Sequence, residues 1–121
     1  MSDETSTVQE MKDSVRRFCE VRDWDQFHSP MNLAVGITTE SVELLDIFRF
    51  KSDSEISDIM NDPVKRNDVC EELSDVLYFV LRFAQMNDID LSDNLARKIE
   101  KNGIRYPVDR SKGSNKKYNE L

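Results

Sequence analysis

Glycine and proline are scarce in this chain, three of each in 121 residues, which leaves few places for tight turns and argues against a sheet-rich design. Histidine occurs once, at His28, and cysteine twice, at Cys19 and Cys70, with no CxxC spacing. That poverty removes the Glu-x-x-His motifs of a di-iron carboxylate bundle, the His- or Cys-rich spacing of a zinc hydrolase, and a disulfide framework. Reduced thiols and a cytoplasmic setting are the corresponding expectation. There is no GxxxxGK[ST] loop, so any phosphate must be held by side chains and metal. The longest apolar run, Val76 to Leu81, stops at Arg82 and is far too short to span a bilayer. Positive charge is also in deficit: the formal balance is −7, which disfavours sequence-independent binding to a nucleic acid polymer or to an anionic membrane.

What the chain does have is helical periodicity, and the fold class it predicts is all-α in a single domain over residues 1–121. Val8, Met11, Val15, Phe18 and Cys19 follow the 3.6-residue period after a polar start at Met1 to Ser6, expected to fray, and place a first helix near Thr7 to Arg22. Ser29 before Pro30 is a cap followed by the residue best tolerated at a first helical position, so a second helix runs from Pro30 to about Phe50. Lys51 to Asp62 is mixed, with a short helical turn near Glu55 to Met60. Asp62 and Pro63 repeat the cap logic for a third helix to about Asn87. Asp90 caps a fourth, carrying Leu91, Leu95 and Ile99, which must end by Pro107. Residues 108–121 read as a largely basic tail. The four main helices suit a bundle, and the stripe Val69, Leu73, Val76, Leu77, Val80, Leu81 and Ala84 is wider than one neighbour covers. Assembly as a dimer or a dimer of dimers is expected to bury the remainder.

Two acidic pairs interrupt the apolar faces. Glu40 and Glu43 on the second helix, and Glu72 and Asp75 on the third, are each three residues apart, so their carboxylates project from neighbouring turns, about 5–6 Å apart at Cβ, and each pair can reach one cation. One such pair on its own is ordinary solvated decoration. Here there are two, on helices whose connection lets them pack antiparallel, bordering the stripes Leu33, Ile37, Glu40, Leu44 and Glu72, Val76, Phe79, Phe83. A carboxylate held beside apolar surface is costly without positive compensation. Converging oxygen ligands with neither thiolate nor imidazole favour a hard cation, Mg2+ over zinc, and Mg2+ suggests a phosphate-bearing substrate.

These residues resemble the MazG-like all-α nucleoside triphosphate pyrophosphohydrolases, and within them the dCTP pyrophosphatase branch. The family pattern Glu-x-x-Glu, spacer, Glu-x-x-Asp is matched by Glu40-Ser41-Val42-Glu43 and Glu72-Leu73-Ser74-Asp75. Upstream, Arg22-Asp23-Trp24-Asp25-Gln26-Phe27-His28 with Pro30 and Asn32 is similar to the branch's approach to its first acidic helix. Downstream, Lys98, Asn102, Arg105, Tyr106 and Pro107 match its Lys-x-x-x-Asn-x-x-Arg-Tyr-Pro run, and Gly113-Ser114 with Lys117-Tyr118 its tail. The chain departs from the branch at Thr38, Thr39, Ser41 and Val42, where smaller residues are frequent, at Phe50, where a Trp is frequent, and at Val15, where some relatives carry a histidine.

The resemblance implies hydrolysis between the α and β phosphates to a nucleoside monophosphate and pyrophosphate, with Mg2+ held by Glu40, Glu43, Glu72 and Asp75, and dCTP or a related deoxynucleotide as substrate. Glu40 or Glu43 is the candidate general base; the sequence does not choose between them. Lys98, Asn102 and Arg105 share a face of the fourth helix and suit phosphate oxygens, although basic residues at a helix C-terminus also simply meet its dipole. Tyr106 offers a hydroxyl, and Lys51 a charge that either reaches phosphate or stays solvated. Trp24, Phe50 and Phe79 are candidates for stacking on the base. His28 either orders its own loop or touches substrate. Two alternatives remain: the same chemistry on dUTP, dATP or a noncanonical triphosphate, and a non-catalytic helical module that binds another protein through its broad apolar face.

Overall fold

The computed structural model describes residues 1–121 and is built from helices without strands. Six α-helices follow in chain order: α1 Val8–Glu20, α2 Pro30–Phe48, α3 Asp53–Asn61, α4 Pro63–Met86, α5 Leu91–Arg105 and α6 Val108–Ser111, with single 3-10 turns at Asp25–Phe27 and Tyr118–Glu120. The chain divides into two compact units, Met1–Ile89 and Asp90–Leu121.

Capping chemistry sets most boundaries. Thr7, Ser29, Ser52 and Asp90 each accept the backbone N–H three residues on, and Asp62 accepts from Val64, which satisfies donors that a helix start otherwise leaves bare. At Ser52 the cap is reciprocal, because the Glu55 carboxylate also accepts from the Ser52 N–H. That box explains why α3 is a nine-residue helix where the sequence suggested only a turn near Glu55 to Met60. Similarly, α2 ends at Phe48 and not Phe50. Arg49 turns extended and Phe50 takes a left-handed φ of 63°, a conformation that stops a helix and that side chains with a Cβ rarely adopt.

In the first unit α4 is the common partner, with α2, α1 and α3 packed against it. Cys19, Leu33, Ile59, Val69, Leu81 and Ala84 are its buried apolar residues, one or more from each of these helices. Two of the seven residues in the wide α4 stripe, Leu73 and Leu77, remain exposed. Gly36 matters for one close approach: a Cβ there would fall 2.5 Å from Cδ1 of Phe79, so the absence of a side chain is what lets that ring come so close to α2. Lys12 is buried and donates from Nζ to the carbonyl of Ile89, securing the turn after α4. In the second unit, Arg105 lies over the Tyr118 ring at 4.8 Å and Tyr106 meets the same ring edge-on at 6.1 Å, so the tail is folded back on the end of α5.

Candidate active site

Close contact between α2 and α4 at Gly36 and Phe79 brings the two acidic segments together one to two turns away. Glu40, Glu43 and Glu72 each present a carboxylate oxygen, all within 4.8 Å of one another. Glu40 and Glu72 are half-buried, and Glu43 is exposed. No Lys or Arg forms an ion pair with any of the three. Moreover, the Oε2 atoms of Glu40 and Glu72 are buried without a hydrogen-bond partner. Such oxygens are costly to leave unpaired.

The electrostatics follow from that crowding. Burial, then the charges of Glu43 and Asp75, push the Glu40 carboxyl above the usual carboxylate range, partly offset by a hydrogen bond with Glu72. Burial and the charges of Glu43, Asp75 and Glu40 do the same to Glu72. Asp75 is exposed and stands outside the group of three, yet its field reaches both inner carboxylates. A divalent cation fits this donor set: the ligands are hard oxygens, they converge, and two carry unused lone pairs.

The aromatic candidates occupy different settings. Phe79 is half-buried on α4, edge-on to Tyr78 at 5.1 Å and pressed on Gly36. Trp24 is half-buried in the loop before α2, edge-on to Phe18 at 5.6 Å and to His28 at 6.2 Å. Phe50 is 94% exposed, with the Arg49 guanidinium 4.7 Å from its ring. Lys51 lines a cavity of about 220 Å³ with Ile47, Ile59, Lys65 and Asp68, none of them an acid of the triad. On α5, Lys98 is exposed while Asn102 and Arg105 are half-buried, and Tyr106 follows as the C-cap, its N–H donating to the Asn102 carbonyl at 2.8 Å.

His28 proves to be tied into its own loop's support. Its Nδ1 accepts from Arg82 Nε at 2.9 Å, and burial with the Arg82 charge lowers its pKa below 6.5 despite the opposing pull of Asp25. Arg82 itself was not foreseen from sequence as anything but the end of an apolar run. Nothing in local spacing announces it, because its partners Asp25 and His28 lie 57 and 54 residues away.

Comparison with known proteins places relatives beside this geometry. The MazG-like family model matches residues 35–121. dCTP pyrophosphatase 1 of Mus musculus is 37% identical over 115 residues, covering 95% of this chain and 68% of that protein; the Homo sapiens protein of the same name is 35% identical over the same shares. Among solved structures, a pyrophosphatase from Archaeoglobus fulgidus is similar with a TM-score of 0.78 and 33% identity, over 88% of this chain and 98% of that one.

Proposed function

Because the chain belongs to the MazG-like family, we propose that it is a Mg2+-dependent nucleoside triphosphate pyrophosphohydrolase that cleaves a deoxynucleoside triphosphate, dCTP first among them, to the monophosphate and pyrophosphate. The observation that carries the reading is the convergence of Glu40, Glu43 and Glu72 within 4.8 Å, with two buried oxygens lacking partners. The names of the curated relatives and of the archaeal structure support the reaction class.

In this reading Glu40, Glu43 and Glu72 hold the metal, and Asp75 adds the fourth negative charge from the next turn of α4. When bound, Mg2+ would neutralise phosphate oxygens and ease departure of pyrophosphate. One carboxylate of the Glu40–Glu43 pair takes a proton from the attacking water; the raised proton affinity of Glu40 suits a general base. Lys98, Asn102 and Arg105 supply donors to phosphate oxygens, with Tyr106 and Lys51 as further donors. Trp24 and Phe79 offer faces for the base, and Phe50 an exposed ring for the same purpose. His28 acts on the base through Trp24.

Exposed Leu45, Leu73 and Leu77, at 55%, 56% and 44%, lie on the two helices that carry the acids and support assembly as a homodimer or homotetramer, which light scattering measures. A panel of nucleotides assayed for pyrophosphate with and without Mg2+ tests the activity. Metal-dependent pyrophosphate release with the highest kcat/KM for dCTP is expected. A higher value for dUTP, dATP or a noncanonical triphosphate would move the substrate and keep the chemistry. Release of orthophosphate alone, or no turnover on any nucleotide, would overturn the proposal, and stable capture of another protein would then favour an interaction module.

A further inference from the structure

Arg82 is the most deeply buried charge in the chain, at 1% exposure. Its Nε donates to His28 Nδ1 at 2.9 Å, one terminal nitrogen donates to Gln85 Oε1 at 2.6 Å, and the other pairs with Asp25 Oδ1. An interior guanidinium pays a large desolvation penalty, and an apolar side chain of similar volume beside Leu81 and Ala84 would often serve stability as well or better. What the charge supplies instead is direction. Asp25 and His28 belong to the loop between α1 and α2, whose other side-chain hydrogen bonds are local: Arg22 to the Phe18 carbonyl, Gln26 to Asp23, Asn32 to the Phe27 carbonyl and the Asn32 N–H to Ser29 Oγ. The hydrogen bonds joining this loop to α4 all come from Arg82.

The half-buried aromatic of this loop is Trp24. Its ring is fixed by edge contacts with His28 and Phe18 at interplanar angles of 63° and 72°, and His28 is in turn fixed by Arg82. On α4, Arg82 follows Phe79 by three residues and Glu72 by ten, so it stands on the flank of the helix that carries the acids, about 15 Å farther along the axis. We propose that Arg82 is a positioning residue for nucleobase binding: by gripping Asp25 and His28 it holds Trp24 in the orientation that stacks on the base. This deepens the nucleotide-hydrolase reading above and rests on it. Arg82 makes its polar contacts with His28, Gln85 and Asp25 and none with Glu40, Glu43 or Glu72, and its effect therefore falls on substrate affinity and not on the chemical step.

Trp24 is the one tryptophan in the chain, so its fluorescence reports the loop without interference. Arg82→Met, which removes the donors while keeping volume, and Asp25→Asn, which leaves Arg82 in place and changes an exposed side chain, are compared with wild type under saturating Mg2+. For Arg82→Met the expected result is KM for dCTP raised about tenfold with kcat nearly unchanged, and Trp24 more readily quenched by acrylamide; Asp25→Asn shifts both in the same direction by less. Should Arg82→Met fail to fold, Asp25→Asn carries the test alone. Variants that melt at lower temperature yet keep wild-type KM and quenching would overturn the proposal and leave Arg82 a purely structural residue. Wild-type protein that hydrolyses no nucleotide would overturn the functional reading, and the base-positioning role with it, so the two failures are distinguishable.

Discussion

Two carboxylates that repel each other in the absence of metal make a measurable signature at single residues. A carboxyl whose proton affinity rises on folding binds its proton more tightly in the native state, so its contribution to stability is full at low pH and is lost as pH climbs from near the ordinary 4.5 through the raised native value. Glu72→Gln removes one such group. Metal-free Glu72→Gln is expected to melt above wild type at neutral pH, with the gap closing as pH falls toward 4.5, while pyrophosphate release drops by about 100-fold or more through loss of a ligand. Calorimetry across pH on both proteins checks the first half, because their difference cancels His28, whose lowered pKa acts in the opposite sense on acidification. The convergence of Glu40, Glu43 and Glu72 was legible in the sequence, through two spaced pairs bordering apolar stripes on helices able to pack antiparallel, while Asp75, expected with them, stands outside the group. Arg82 was not legible, since a buried arginine is indistinguishable from a surface one until its distant partners are known.

At the scale of the helix, the acid pairs depend on how closely α2 and α4 approach. Gly36→Ala would bring a Cβ to 2.5 Å from the Phe79 ring, forcing either the ring or the helices apart. Overpacking of this kind costs about 1–3 kcal/mol, against about 1 kcal/mol gained from alanine's better helix propensity, so net destabilisation is expected in thermal melts. Activity should fall further than stability, because a wider gap separates Glu40 from Glu72. The starts of α2, α4 and α5 were readable from Ser29-Pro30, Asp62-Pro63 and Asp90, where cap chemistry is local. The full length of α3 was not, because its reciprocal cap at Ser52 and Glu55 stabilises a segment whose apolar pattern is thin. Gly36 gave no sign either: a lone glycine within a helix reads as a small defect until the ring facing it is seen.

For the molecule as a whole, the net charge is −7, and the metal dependence proposed above predicts that folding is linked to divalent cation through the unpaired carboxylate oxygens of Glu40 and Glu72. Millimolar Mg2+ should raise the melting temperature of wild type, by the linkage of ligand binding to the native state, and leave a Glu40→Gln/Glu72→Gln double variant unmoved; differential scanning fluorimetry reads both. The all-α class and the principal helices were legible because amphipathic period and caps are written within each segment. Long-range arrangement was legible only where it left a local trace, as the paired acids did. The first unit also has a hub-and-spoke layout, in which α1, α2 and α3 each lean chiefly on α4. Either of the lighter spokes, α1 or α3, can therefore peel away while α2 stays seated on α4. Hydrogen exchange should rank the amides accordingly, α3 opening early and α4 last, so that brief excursions at the periphery leave the paired carboxylates of α2 and α4 facing one another throughout.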